Sequence, residues 1–184
     1  MSKIPEKAKR VFKGVIFDVY QWEQVLFDGS KTTFEMIKRP NTLAVIASIS
    51  DKILVTVEEQ PSMPKEIGIV TGRQEENEHP LQGAKREFLE ETGMVSDNWT
   101  LFKKVSYHYK IEWETYIFLA KDCRKIKEPK LDAGEKIELK YVSFNEFLED
   151  FSNENIHFTE LSNMLFRIKN DPIKKEEFRK LLFD

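Results

Sequence analysis

Between Gly72 and Met94 the chain reads GRQEENEHPLQGAKREFLEETGM, and this stretch restricts the fold more than any other. Pro80 suits the first turn of a helix and Gly93 the position just past its end. One helix behind a glycine turn is therefore expected. Leu81, Ala84 and Phe88 mark an apolar stripe, with Leu89 near its edge, that has to be buried against another element. At the helical period Glu87 and Glu91 share a face and Glu90 sits beside them. Like charges at this spacing destabilise an isolated helix. A cluster that costs stability suggests a use, and holding hard divalent cations through oxygen ligands is the obvious one. The bland reading of an E-x-x-E-E run is a solvated helix face.

The flanking sequence alternates like strands. Val11 to Tyr20 and Gln21 to Phe27 are aromatic and β-branched, and Asp28-Gly29-Ser30 supplies a turn into Thr32–Lys38. Thr42 to Ile49 (TLAVIASI) is nearly continuous apolar sequence, as expected of a strand buried on both faces. Asp51-Lys52 turns it into Ile53–Glu58. Residues 60 to 68 hold two prolines and read as a loop. Strands are expected again around Trp99–Val105, Glu112–Ala120 and Ile137–Ser143, with a polar connection from Lys121 to Lys136. The tail turns helical over Phe144–Phe151, Thr159–Lys169 and Ile173–Leu182. Strands, one helix, strands and then helices indicate an α+β or α/β layered domain rather than a bundle.

A length of 184 residues suits one domain over 1–184 with a sizeable core. Its parts are an N-terminal strand region to about residue 40, the 72–94 stretch, and C-terminal helices over about 144–184. A formal charge of −3 gives no reason to expect a nucleic-acid or membrane surface, so phosphate-bearing ligands would need local cations. Cys123 is the only cysteine, which excludes an internal disulfide and a cysteine-built zinc site. The charged N-terminus has no apolar core and no run approaches membrane-spanning length, so the expectation is a soluble, cytoplasmic protein.

The spacing Gly72, five residues, Glu78, seven residues, Arg86-Glu87-Phe88-Leu89-Glu90-Glu91-Thr92-Gly93-Met94 resembles the Nudix box, G-x5-E-x7-R-E-U-x-E-E-x-G-U with U apolar. Every fixed position is filled. The resemblance implies an α/β/α sandwich with a mixed sheet, and Mg2+-dependent hydrolysis of a pyrophosphate bond, with Mn2+ as the alternative cation. Such chemistry needs an activated water and neutralised phosphate oxygens, which a small metal cluster supplies together. In the family the glutamates matching Glu87, Glu90 and Glu91 bind the metals. A backbone carbonyl at the glycine turn, here Thr71 or Gly72, assists them. Glu78 and Arg86 read as architecture, Arg86 pairing with neighbouring carboxylates. A general base from a later loop would fall near Leu131-Asp132-Ala133-Gly134-Glu135; Glu135 is the candidate and Glu138 the backup. The chain departs from the family in the approach to the box. Ile69-Val70-Thr71-Gly72 lacks the proline and the small residue that often precede the glycine, which leaves the angle of that carbonyl open.

The N-terminal half resembles the ADP-ribose pyrophosphatase-like branch through its extra strands, Thr33-Phe34-Glu35 with Arg39-Pro40, and Glu59-Gln60. That implies a nucleoside diphosphate linked to another moiety as substrate, ADP-ribose or a nucleotide sugar foremost, and a homodimer. Arg39 would contact a phosphate and Trp22 would stack on a base, against the alternative that Trp22 belongs to a core or interface. Tyr107, Tyr109, Trp113 and Tyr116 read as sheet packing, and His79, His108 and His157 show no ligand spacing. The rival functions are a nucleoside triphosphate pyrophosphohydrolase and a non-catalytic nucleotide-binding module, although such modules usually lose box carboxylates.

Overall fold

The computed structural model describes residues 2–61, 63–107, 109–131, 133–152 and 158–184. His108, Asp132 and His157 lie outside them. In chain order the strands are β1 (Lys9–Lys13), β2 (Asp18–Val25), β3 (Lys31–Lys38), β4 (Thr42–Ile49), β5 (Lys52–Gln60), β6 (Met63–Gly68) and β7 (Val70–Arg73). Helix α1 (Pro80–Thr92) follows, then β8 (Met94–Val95), β9 (Asn98–Ser106), β10 (Ile111–Glu112), β11 (Glu114–Lys121), β12 (Arg124–Lys125) and β13 (Lys136–Ser143). The chain closes with α2 (Phe144–Phe151), α3 (Thr159–Lys169) and α4 (Pro172–Phe183).

The apolar run of β4 is buried on both faces because helices cover both. Leu43, Val45 and Ala47 meet Ala84 and Phe88 of α1, while Ala44 and Ile46 meet Phe147, Leu161 and Leu182 of the C-terminal helices. β11 repeats the pattern, with Phe118 and Ala120 on the first side and Ile117 and Leu119 on the second. The result is a helix–sheet–helix sandwich. Its sheet is mixed: the path runs β13-β5-β4-β11-β9, with β11 parallel to β4 and antiparallel to β9. Phe88 has no exposed surface, so truncating it to alanine would cost about 3–5 kcal/mol.

β4 and β5 stay paired only from Ala47–Leu54 to Ile49–Lys52 and then part. β7 takes over as partner of Thr42–Val45, and β6 as partner of Thr56–Glu58. The split places the ends of four strands around one opening. β6 is a strand where the two prolines suggested a loop. Pro64 sits near its first residue, on a strand whose described partner is β5 alone, and at such a place a missing N–H is tolerated.

A second sheet of four strands runs β1-β2-β3-β10. Val11–Tyr20 is not one strand: the chain reverses at Gly14–Phe17, where the Gly14 amide donates to the Phe17 carbonyl at 2.9 Å. A Cβ at Gly14 would stand 2.5 Å from that carbonyl oxygen, which is why the turn falls there. Short β8 and β12 pair with each other inside what reads in the sequence as connection. Among the described residues no helix is long and apolar enough to cross a membrane.

Candidate functional site

Helix α1 is bounded as its sequence dictates. The His79 side chain caps the first turn by accepting from the Leu81 amide, Pro80 follows, and Gly93 closes the last turn in the left-handed region at φ 70°. Gly93 also has to be small, since a Cβ there would lie 2.0 Å from the Lys127 carbonyl oxygen. That close approach is the start of a tether. The amides of Ile126 and Lys127 donate to the Gly93 carbonyl, and the Lys130 amide donates to that of Glu90 at 2.7 Å. The polar connection is thereby laid along the end of α1, and it delivers Glu135 to the same opening.

Two hollows meet there. The polar one, about 280 Å³, is lined by Glu87, Glu90, Glu91 and Glu135, by Arg39, Arg73 and Lys130, and by Thr42, Thr71 and Gly72. It therefore brings together seven of the residues singled out from sequence: Arg39, Thr71, Gly72, Glu87, Glu90, Glu91 and Glu135. The larger one, about 470 Å³ and mostly apolar, shares Thr42 and Thr71 with it. Its walls include Glu58, Tyr107, Trp113 and Phe158.

Gly72 is fixed by contact. A Cβ at this position would fall 2.1 Å from Cδ of Glu87, so only glycine lets the helix carboxylate lie against β7. Glu87 Oε1 then accepts from the Arg73 amide at 3.2 Å. The approach to the box does not need a proline here. Ile69 and Val70 are buried on opposite sides of the sheet, and Val70 to Arg73 pair with β4, which sets the backbone direction instead.

Arg86 organises one flank. Its guanidinium reaches Glu78 at 3.0 Å, Glu87 at 2.9 Å and Glu90 at 3.2 Å, and donates to the Arg73 carbonyl. Glu78 also accepts from the Glu75 amide at 3.0 Å. The hydrogen bond from Arg86 holds the Glu78 carboxyl below the usual carboxylate range.

The other flank is the reverse. Glu91 has one carboxylate oxygen, Oε2, that is buried without any hydrogen-bond partner. Burial is the main cause that pushes its carboxyl up to about 9, followed by the charges of Glu58, Glu87, Glu135 and Glu90. Glu58 and Glu87 are raised as well, again chiefly by burial. Buried polar atoms are nearly always satisfied, so an orphaned oxygen among four further carboxylates calls for a positive partner. Among the described residues no three acidic or histidine side chains already surround one point. Glu87 and Glu90 are instead paired with Arg86, at 2.9 and 3.2 Å.

Glu58 was missed in the sequence because it sits at the end of an apolar strand. Its Oε1 accepts from Thr56 Oγ1 at 2.7 Å. An acid closing a buried strand is the signal that could have found it. Trp22 is placed elsewhere: it packs on Phe34 in the N-terminal sheet, its ring centre 5.2 Å away, and lines neither hollow. Glu138 pairs with Lys65 and Lys140 on exposed β13. Tyr107 and Trp113, which read as sheet packing, instead stack on each other and wall the apolar hollow.

A model of the NUDIX domain matches residues 37–161. The chain is 27% identical over 168 residues to the ADP-ribose pyrophosphatase of Bacillus subtilis (strain 168), covering 85% of this chain and 89% of that protein. It is 26% identical over 156 residues to the methanol dehydrogenase activator of Bacillus methanolicus, covering 82% and 84%. A crystal structure of an ADP compounds hydrolase superposes with a TM-score of 0.73 at 18% identity, over 95% of each chain, and shows the same fold.

Proposed function

Because the chain belongs to the Nudix family of hydrolases, we propose that it cleaves the pyrophosphate bond of a nucleoside diphosphate joined to a second moiety, using Mg2+. ADP-ribose is the favoured substrate and a nucleotide sugar the next. The observation that carries this reading is the partnerless oxygen of Glu91, a residue that lines one hollow with Glu87, Glu90 and Glu135. The donor set fits a hard divalent cation: it is all oxygen, and Gly72 leaves room for the helix carboxylate beside the β7 backbone. Glu87, Glu90 and Glu91 would hold the metal, with the carbonyl of Thr71 or Gly72. When bound, it would supply charge neutralisation on the phosphate and a more acidic water.

The chain's own residues do the rest. Arg39, Arg73 and Lys130 bring positive charge to the same hollow and bind the two phosphates. Glu135 accepts a proton from the attacking water. The water oxygen bonds to one phosphorus while the bridging oxygen leaves with the other phosphate. The apolar hollow beside Thr42 and Thr71 receives a part of the substrate beyond the phosphates.

The curated ADP-ribose pyrophosphatase supports this choice of substrate, as the family's complete box supports catalysis over simple binding. A homodimer through the N-terminal sheet belongs to the same reading. Val11, Phe12, Val15, Phe17, Val25 and Phe27 are each exposed on the β1–β2 hairpin and its neighbouring turns, and a second copy would cover some of them. The test is a panel of nucleoside diphosphate derivatives and triphosphates with Mg2+, read by chromatography. AMP and ribose 5-phosphate from ADP-ribose, abolished by chelator, are expected. Turnover of triphosphates alone, or of nothing, would refute the substrate class.

A further inference from the structure

Arg39 follows β3 and lines the polar hollow, and its guanidinium lies over two aromatic rings, Phe17 at 5.7 Å and Trp113 nearer. Its guanidinium carbon lies 4.4 Å from the centre of the Trp113 ring. The other partner of that ring is Tyr107, stacked at 3.8 Å between centroids and 13° between planes. With Trp113 Nε1 donating to Thr42 Oγ1 at 3.1 Å, the indole is engaged by the Arg39 guanidinium, by the Tyr107 ring and through its polar edge. A ring so engaged is a mount rather than a platform for a base.

The mount is itself tied down from far away in sequence. β10 pairs in parallel with β3, matching Glu112 to Lys38, and the Arg39 amide donates to the Glu112 carbonyl at 3.3 Å. The Glu112 carboxylate then collects the beginning of the described chain. Its Oε2 accepts from Ser2 Oγ at 2.5 Å, from the Lys3 amide at 2.8 Å and from the Ile4 amide at 3.1 Å. Its Oε1 meets Lys38 Nζ at 3.3 Å. Lys3 closes the loop on the other side, donating through Nζ to the carbonyls of Tyr107 and Ile111 at 3.1 Å each. Five polar contacts thus hold residues 2–4 across β10, between Tyr107 and Trp113.

We propose that residues 2–4 are a clasp for the phosphate-binding cation: through Glu112 and Lys3 they fix Tyr107 and Trp113, and so hold Arg39 toward the polar hollow. Glu112 and Lys3 are positioning residues, since neither lines the hollow. The ligand class they serve is a nucleoside diphosphate. The proposal rests on the functional reading above only in taking Arg39 as a phosphate contact.

The test is calorimetric titration of the full chain with ADP in the presence of Mg2+, which needs no turnover. Lys3→Met and Glu112→Ala are each expected to weaken ADP binding about five- to tenfold, with Lys3→Arg restoring the wild-type affinity. Lys3 is exposed, so its replacement leaves folding intact even if Glu112→Ala does not. In the Arg39→Ala background the Glu112→Ala loss should vanish, because residues acting through a common group are not additive. A purely structural effect would not show that dependence. Unchanged affinity in Lys3→Met, or losses that add to that of Arg39→Ala, would overturn the proposal, as would a wild-type protein that does not bind ADP. A wild-type protein that binds ADP but cleaves no ADP-ribose would overturn the functional reading alone.

Discussion

The two flanks of the box helix carry the same residue type under opposite conditions. On the Arg86 flank Glu78 is paired at 3.0 Å and accepts a backbone amide besides, so its charge is satisfied within the chain. On the other flank Glu91 holds a buried oxygen with no partner, and the charges of Glu58, Glu87, Glu135 and Glu90 add to burial in raising its carboxyl. Both residues are fixed positions of one motif. The difference teaches that the motif has an internal half, whose charges are paired within the chain, and an open half, in which a buried carboxylate oxygen is left without a partner. Buried charges whose compensation is missing are what distinguish a site from a scaffold.

Exchanging the two glutamates breaks the comparison most strongly. Glu91→Gln is expected to lower turnover of ADP-ribose about a hundredfold or more, while leaving thermal stability unchanged or raised, because a buried carboxyl without a partner is replaced by a group that never ionises. Glu78→Gln should do the converse in kind. It should cost about 1.5–3 kcal/mol in denaturant unfolding, through loss of the charged hydrogen bonds to Arg86, and affect turnover less. If both variants lose activity and stability in the same proportion, the division into halves is wrong.

Gly72→Ala sharpens the geometry. The added methyl overlaps the outer atoms of the Glu87 side chain, so that carboxylate must swing away from β7, at a cost of no more than about 1–3 kcal/mol. Turnover should fall with it, because Glu87 is displaced. Wild-type turnover in Gly72→Ala would show that the carboxylate need not lie against the strand.

The pH dependence of stability in chelator separates the flanks by sign. Glu91 has its folded value raised to about 9 from an unfolded value of about 4.3. Its contribution is fully present below the unfolded value and is lost as pH rises through the folded one. Glu78 has a lowered folded value, so its contribution is present above the unfolded value and is lost only as pH falls through the folded one. Metal-free protein should therefore lose melting temperature between pH 6 and 9, and Glu91→Gln should lose less. Equal slopes would contradict the assignment. The smallest effect is at Cys123, whose thiol is pushed up to about 12 mainly by burial. It should react with a thiol reagent only after unfolding, and rapid labelling of the native protein would count against the packing described.

The parts legible in the sequence were those whose signal is local. Thr42–Ile49 and the three C-terminal helices follow from the local residue pattern, and the ends of α1 from Pro80 and Gly93. The box fixed three carboxylates at once, because their spacing on a helix determines their placement. What stayed hidden depends on long-range contact. β6 needs β5 beside it to be a strand at all. Glu58 reaches the site only because β4 and β5 part, and Trp113 becomes the seat of Arg39 only once β10 pairs with β3. The hairpin at Gly14 was concealed because aromatic and β-branched residues continue on both sides of it.

The central claim is that the orphaned oxygen of Glu91 is a cation ligand. Calorimetric titration of Mg2+ into chelator-treated wild-type protein and Glu91→Gln, both verified as folded, tests it most directly. Saturable binding by the wild type, lost or weakened about tenfold or more in Glu91→Gln, is the predicted result. Equal Mg2+ affinity in the two proteins would contradict it.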